Sequence, residues 1–185
     1  LTATPVFGAV PVPQALPPGS ITHQNSQYWT WAGPSNWVSV DGAYGIKIQS
    51  GNGLLTLDRG FSSVVCASGN SVQESVTAYY AQQRATLRDS LRANWRKVGM
   101  EAARVQQLPQ TAYGSLYFRQ SFKISGKAQG RRFGGVVQYD YSLANGPTYC
   151  YARNTARTAP ASNLRKSMRQ LASVEASLAY FGPGV

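Results

Sequence analysis

The period of the apolar residues changes along this chain, and that change limits the fold more than any single motif does. Tyr28-Trp29-Thr30-Trp31, Trp37-Val38-Ser39-Val40, Tyr44 to Ile48 and Leu54 to Leu57 alternate or run apolar as strands do. Gly33-Pro34-Ser35-Asn36 and Ser50-Gly51-Asn52-Gly53 supply turns between them, and Phe61 to Cys66 adds a further strand. From Val72 the spacing becomes mostly three, four or seven. Val72, Val76, Tyr79, Tyr80, Leu87, Leu91 and Val98 fall within a sector of about 120° on a helical wheel. Ser71-Val72-Gln73-Glu74 reads as a capping box and Gly99 as a C-cap. The spacing predicts one long helix over 72–98. Strand character returns at Ala102 to Gln107, Ala112 to Ile124, Arg131 to Tyr141 and Thr148 to Arg153, with hairpin loops at 125–130 and 144–147. Leu164, Met168, Leu171, Val174, Leu178 and Phe181 mark a second helix, stopped by Gly182-Pro183.

A chain of 185 residues suits one domain, and its 43% hydrophobic and 14% charged residues exclude ordinary disorder. No apolar run approaches the roughly 18 residues of a membrane helix. Residues 1–26 read as a Pro-rich extended arm ahead of a single domain at 27–185. Pro5, Pro11, Pro13, Pro17 and Pro18 cannot feed ladder hydrogen bonds. Val6, Phe7, Val10, Val12 and Leu16 make the arm more apolar than a plain linker requires. The expectation is that it docks on a partner or another subunit, with Phe7 as the anchor. The chain opens without Met or a basic n-region, so the sequence contains no visible signal peptide, and Leu1 is not a lipid-anchor cysteine.

Catalytic and metal-ligand patterns are not found. Cys66 and Cys150 lack CxxC or His spacing and read as one disulfide, which points to an extracytoplasmic protein. His23 stands near the arm with no acid close in sequence and reads as a solvated polar residue. Seven acids are scattered, and Asp58 with Asp140 is the one pair worth inspecting for a carboxylate dyad. No phosphate-binding loop, nucleophile elbow or zinc-protease motif occurs. The expectation is a non-enzyme without cofactor or metal.

The strongest non-core feature is cationic. Lys and Arg total 18 against 7 Asp and Glu, giving +11, and 13 of the cations are Arg. Arg84, Arg88, Arg92 and Arg96 recur every four residues with Lys97 beside them. Like charges at that spacing repel by a few tenths of a kcal/mol per pair, so the row favours an anionic partner. Lys123, Lys127, Arg131 and Arg132 form a second cluster around one hairpin. Arg153, Arg157, Arg165, Lys166 and Arg169 form a third. Trp29, Trp31, Trp37, Tyr139 and the other strand aromatics alternate as core residues do, rather than as a platform for bases.

A few strands, one long helix, a strand meander and a C-terminal helix resemble the PsbP-like α/β/α sandwich. The resemblance spans roughly residues 27–181 and rests on element order. It implies an α+β domain, an antiparallel sheet with the long helix and the C-terminal helix packed on it, and a non-enzymatic binding role at a membrane or large complex. The expected function is an exported accessory domain docking on a protein assembly through its arm and basic surface. The alternative is a binder of an anionic polymer, either nucleic acid or an acidic cell-envelope component, through the arginine-rich helix face.

Overall fold

The computed structural model describes residues 15–24, 27–65, 89, 93, 100–109, 111–113, 117–143 and 149–182. Eight strands form one antiparallel sheet: β3(Val38–Gly42), β4(Gly45–Gln49), β5(Thr56–Val65), β10(Tyr149–Pro160), β9(Arg131–Leu143) and β8(Tyr117–Ala128), then β6(Met100–Gln107) at the far side. The short β7(Thr111–Tyr113) also pairs with β8. A second, three-stranded sheet orders β1(Ser20–His23), β2(Trp29–Pro34) and β11(Ala179–Tyr180). One helix, α1(Leu164–Ala176), follows a single 3-10 turn at Ala161–Asn163. The domain is therefore α+β, built mostly from antiparallel strands with a C-terminal helix.

Both faces of the large sheet carry apolar residues. On one, Ile46, Ile48 and Leu57 pack with Leu171 and Val174 of α1 and with Trp29, Trp31 and Trp37. On the other, Phe122, Ile124 and Val137 form a second cluster with Val105, Tyr139 and Ala156 at its margin. The tryptophans are core, as their alternation predicts. The predicted helix over 72–98 lies outside the described residues, except that Asp89 and Ala93 are helical.

Four features differ from the reading of the sequence. First, Trp29–Pro34 and Val38–Gly42 are consecutive, yet they belong to different sheets. The turn closed by the Trp37 amide on the Pro34 carbonyl, 3.0 Å, passes the chain from one to the other. Second, β1 lies inside residues 1–26, which were expected to be arm. Ser20–His23 pair in register with Pro34–Trp31, so this stretch is sheet. Residues 1–14 lie outside the described residues. Third, α1 ends at Ala176, five residues before Phe181. The Ser177 hydroxyl donates to the Val174 carbonyl at 2.7 Å, and the Ala32 amide donates to that hydroxyl at 2.8 Å. Ala179 and Tyr180 then pair with Thr30 and Trp29 instead of continuing the helix. Fourth, the loop expected over 125–130 is a two-residue turn. Gln129 and Gly130 have φ of 50° and 75°, the left-handed pair that a tight hairpin demands. Residues 125–128 remain in the ladder with 131–134.

The neighbouring strand β9 needs glycine for a different reason. A Cβ on Gly135 would lie 2.1 Å from the Arg157 carbonyl oxygen. Only a residue without a side chain lets β9 and β10 approach this closely at the end nearest α1.

Candidate anion-binding surface

The third cationic cluster divides when the chain folds. Arg153 and Arg157 alternate on one face of β10, and register places Arg153 opposite Asp140. Arg119 of β8 faces Asp140 from the other side. Arg119 Nε donates to Asp140 Oδ1 at 2.7 Å and Arg153 Nη2 to Oδ2 at 2.8 Å. Gln138 Nε2 adds a third bond at 3.1 Å. Four residues along β10 from Arg153, Glu175 of α1 bridges Arg157 Nη1 at 3.4 Å and Arg59 Nη2 at 2.5 Å. Burial pulls the Arg59 guanidinium below its usual range, and the Glu175 carboxylate opposes that shift. These arginines are structural: they tie four strands and the helix together.

Burial pushes the Asp140 carboxyl upward, but the bond from Arg119 and the charges of Arg153 and Arg119 outweigh it. The net effect holds the carboxyl below its ordinary value. Its stabilisation is therefore complete above the unfolded value of about 3.9 and is lost as pH falls through the folded one. Asp140→Asn is expected to cost about 2 kcal/mol at neutral pH, as for hydrogen bonds to charged groups. It should also flatten the acid limb of stability against pH in thermal unfolding. An acid limb identical to that of the parent protein would refute this role.

Asp58 and Asp140 do not form a dyad. Asp58 is paired with Ala156 and Asp140 with Arg153, neighbours of opposite parity on β10, so the two carboxylates occupy opposite sheet faces. Asp58 lines a cleft of about 600 Å³ with Lys47, Arg131, Tyr139 and Asn154. Desolvation pushes its carboxyl up, and Lys47 across the ladder pulls it down. Burial alone pushes the Tyr139 hydroxyl up to about 12. His23 is not a solvated residue. It is 6% exposed, stacks on Trp31 at 3.7 Å, and places Nε2 3.3 and 3.2 Å from the Gly33 and Pro34 carbonyls. The ring is used to pack β1 onto β2.

The remaining cations stay at the surface. Lys127 of β8 and Arg131 and Arg132 of β9 are exposed at the end of the hairpin, and Lys123 is exposed farther back on β8. Arg165, Lys166 and Arg169 of α1 are exposed too. The hairpin turn and the start of α1 are neighbours: Arg131, Arg132, Ser162, Asn163 and Ser167 line one cleft of about 780 Å³ with the Asn52–Leu55 loop. Its walls carry no carboxylate among the described residues. Tertiary folding has thus brought part of the second cluster beside the turn that leads into α1, the helix that carries part of the third. Spacing could not reveal this, because 30 or more residues separate them in sequence.

Other expected site residues fall elsewhere. Arg84, Arg88, Arg92, Arg96 and Lys97 lie outside the described residues, as do Val6, Phe7, Val10 and Val12 of the arm. Leu16 is described and is 38% exposed. Cys66 lies outside as well, and so does the side chain of Cys150, although its backbone pairs with Val64 in β10 and β5. Among the described residues no group of three His, Cys, Asp or Glu side chains is placed to hold a metal. No described helix is long and apolar enough to cross a membrane.

No family model matches the chain, and no curated protein matches it. Among solved structures it is similar to LpqN of Mycobacterium tuberculosis, a protein involved in cell envelope biogenesis. Identity is 8%, the TM-score 0.46, and the coverage 89% of this chain and 91% of that one. It is also similar to the Saccharomyces cerevisiae Ran-binding protein Mog1p, at 8% identity and a TM-score of 0.39, covering 88% of this chain and 96% of the other.

Proposed function

We propose that this chain is a non-enzymatic accessory domain that docks on an anionic surface of a larger extracytoplasmic protein assembly, through its basic surface and its Pro-rich arm. One observation carries the reading. Asp140 and Glu175 are used up neutralising arginines inside the fold, so Lys123, Lys127, Arg131, Arg132, Arg165 and Lys166 are left exposed, with Arg131 and Arg132 beside the turn that leads into α1. Exposed charge of one sign steers association and gains its free energy from an oppositely charged partner. Asp58 and Asp140 on opposite sheet faces support a role that uses no carboxylate dyad. An extracytoplasmic location follows from reading Cys66 and Cys150 as a disulfide.

Cross-linking in the native source, with the parent protein and an Arg131→Gln/Arg132→Gln variant, tests this. A defined protein partner should be captured by the parent, and less by the variant at low salt. Its thiols should resist alkylation under denaturing, non-reducing conditions. Equal capture at every salt concentration, or two free thiols, would sink the corresponding half of the proposal. A polyanion such as heparin reads the alternative: retention should then fall steeply between about 50 and 200 mM salt, by counterion release.

A further inference from the structure

We propose that the cleft between the β8–β9 turn, the Asn52–Leu55 loop and the start of α1 is a binding site for a phosphate group. This rests on the basic-surface reading and narrows it to one place and one chemistry. Three kinds of donor converge there. Arg131 and Arg132 enter from the turn, fixed by the left-handed Gln129-Gly130 pair. The 3-10 turn Ala161–Asn163 and the 13-residue helix α1 begin in the same wall. Neither has a side-chain cap, and neither has an acidic residue in its first turn. The opening amides of the 13-residue helix have no carbonyl of the same helix to bond, and its macrodipole adds positive potential.

The decisive group is Ser167. It is 6% exposed, yet it lines the cleft, and its hydroxyl has no hydrogen-bond partner among the described residues. The other buried serine of the helix behaves differently, since Ser173 donates back to the Arg169 carbonyl at 3.0 Å. Ser167 thus adds an unused donor to the lining of a cleft that has two arginines, the start of α1 and, among the described residues, no carboxylate. The first turn of α1 also carries Arg165 and Lys166, an arrangement that opposes the helix dipole unless an anion sits at its N-terminus. A tetrahedral dianion has enough oxygens to serve arginine, amide and hydroxyl together, whereas a planar carboxylate has two. The volume, about 780 Å³, exceeds that of a bare phosphate and admits a phosphomonoester with its substituent.

Inorganic phosphate and glycerol 3-phosphate, titrated against the full chain and followed by amide NMR shifts and calorimetry, provide the test. Shifts should centre on Ala161–Ser167 and Arg131–Arg132. Ser167→Ala should weaken phosphate binding about tenfold, as loss of a hydrogen bond to a charged group does. Arg131→Gln/Arg132→Gln should abolish it. Phosphatidylglycerol vesicles are the parallel arm. Binding to vesicles but not to the soluble phosphates assigns the group to a lipid headgroup, and the reverse assigns a soluble ligand; either supports the site if Ser167→Ala weakens it. Shifts elsewhere, or affinity unchanged in Ser167→Ala at an unchanged melting temperature, would overturn the cleft. Partner capture that survives in Ser167→Ala but not in the arginine variant would leave the broader basic-surface reading intact while removing the phosphate site. Loss of neither would remove both.

Discussion

Glu175→Ala should lower the stability of the folded domain by about 3–5 kcal/mol, the cost of breaking a buried ion pair by removing one partner. Glu175 is the one carboxylate that α1 offers to Arg59 and Arg157, and these side chains are only 11% and 19% exposed. The Nε atoms of both arginines are already buried without a hydrogen-bond partner. Truncating Glu175 would leave two desolvated guanidinium groups under a helix with no counter-charge. Replacing the whole group, Arg59→Met and Arg157→Met with Glu175→Leu, should cost far less, because no charge then stays buried. Urea unfolding of the single and triple variants decides this. Equal losses would mean that packing, not charge, supplies the contribution of Glu175.

Trp29→Ala should cost about 3–5 kcal/mol, as for other aromatic truncations in a core. Trp29 is 1% exposed and joins the two sheets. Its ring stacks on Phe61 of the large sheet at 5.3 Å and meets Tyr180 of the small one at 4.8 Å. Its indole Nε1 donates to the Gly42 carbonyl at 3.0 Å, at the end of β3. Removal opens a cavity at the junction and leaves that carbonyl without its donor. Trp29→Phe keeps an aromatic ring in the stack and loses the bond and part of the ring volume, so about 1–2 kcal/mol is expected. If alanine costs no more than phenylalanine in urea titration, the sheets are held together elsewhere.

Local periods were legible and partnerships were not. The alternation of Trp29 and Trp31, and of Ile46 and Ile48, predicted buried strand faces, and all four side chains are core. The spacing from Leu164 to Val174 predicted the apolar stripe of α1, and Leu171 and Val174 are fully buried beneath it. His23 was misread because nothing near it in sequence announces a stacking partner. Trp31 reaches it only through the pairing of β1 with β2. The end of α1 was misread because Leu178 continues the helical spacing, while β2 competes for Ala179 and Tyr180 with strand hydrogen bonds.

The candidate site divides in the same way. Composition alone gave a strong positive excess, and sequence clusters located Arg131 and Arg132 on a hairpin. It could not sort cations that bind inward from those left outside. Arg153 and Arg157 looked equivalent to Arg165 and Lys166, yet the first two lie on the sheet face that carries Asp140 and meets Glu175 of α1. Glu175 and Arg59 are 116 residues apart, and no local rule couples residues at that distance. The chain by itself determined the buried faces of strands such as Trp29–Pro34 and Gly45–Gln49 and the apolar stripe of α1, because side-chain period follows from backbone geometry within a few residues. Only the tertiary structure decided sheet membership, strand register and charge partners. Each of these depends on bringing distant segments together, where the free energy of burying a charge is settled by what arrives opposite it.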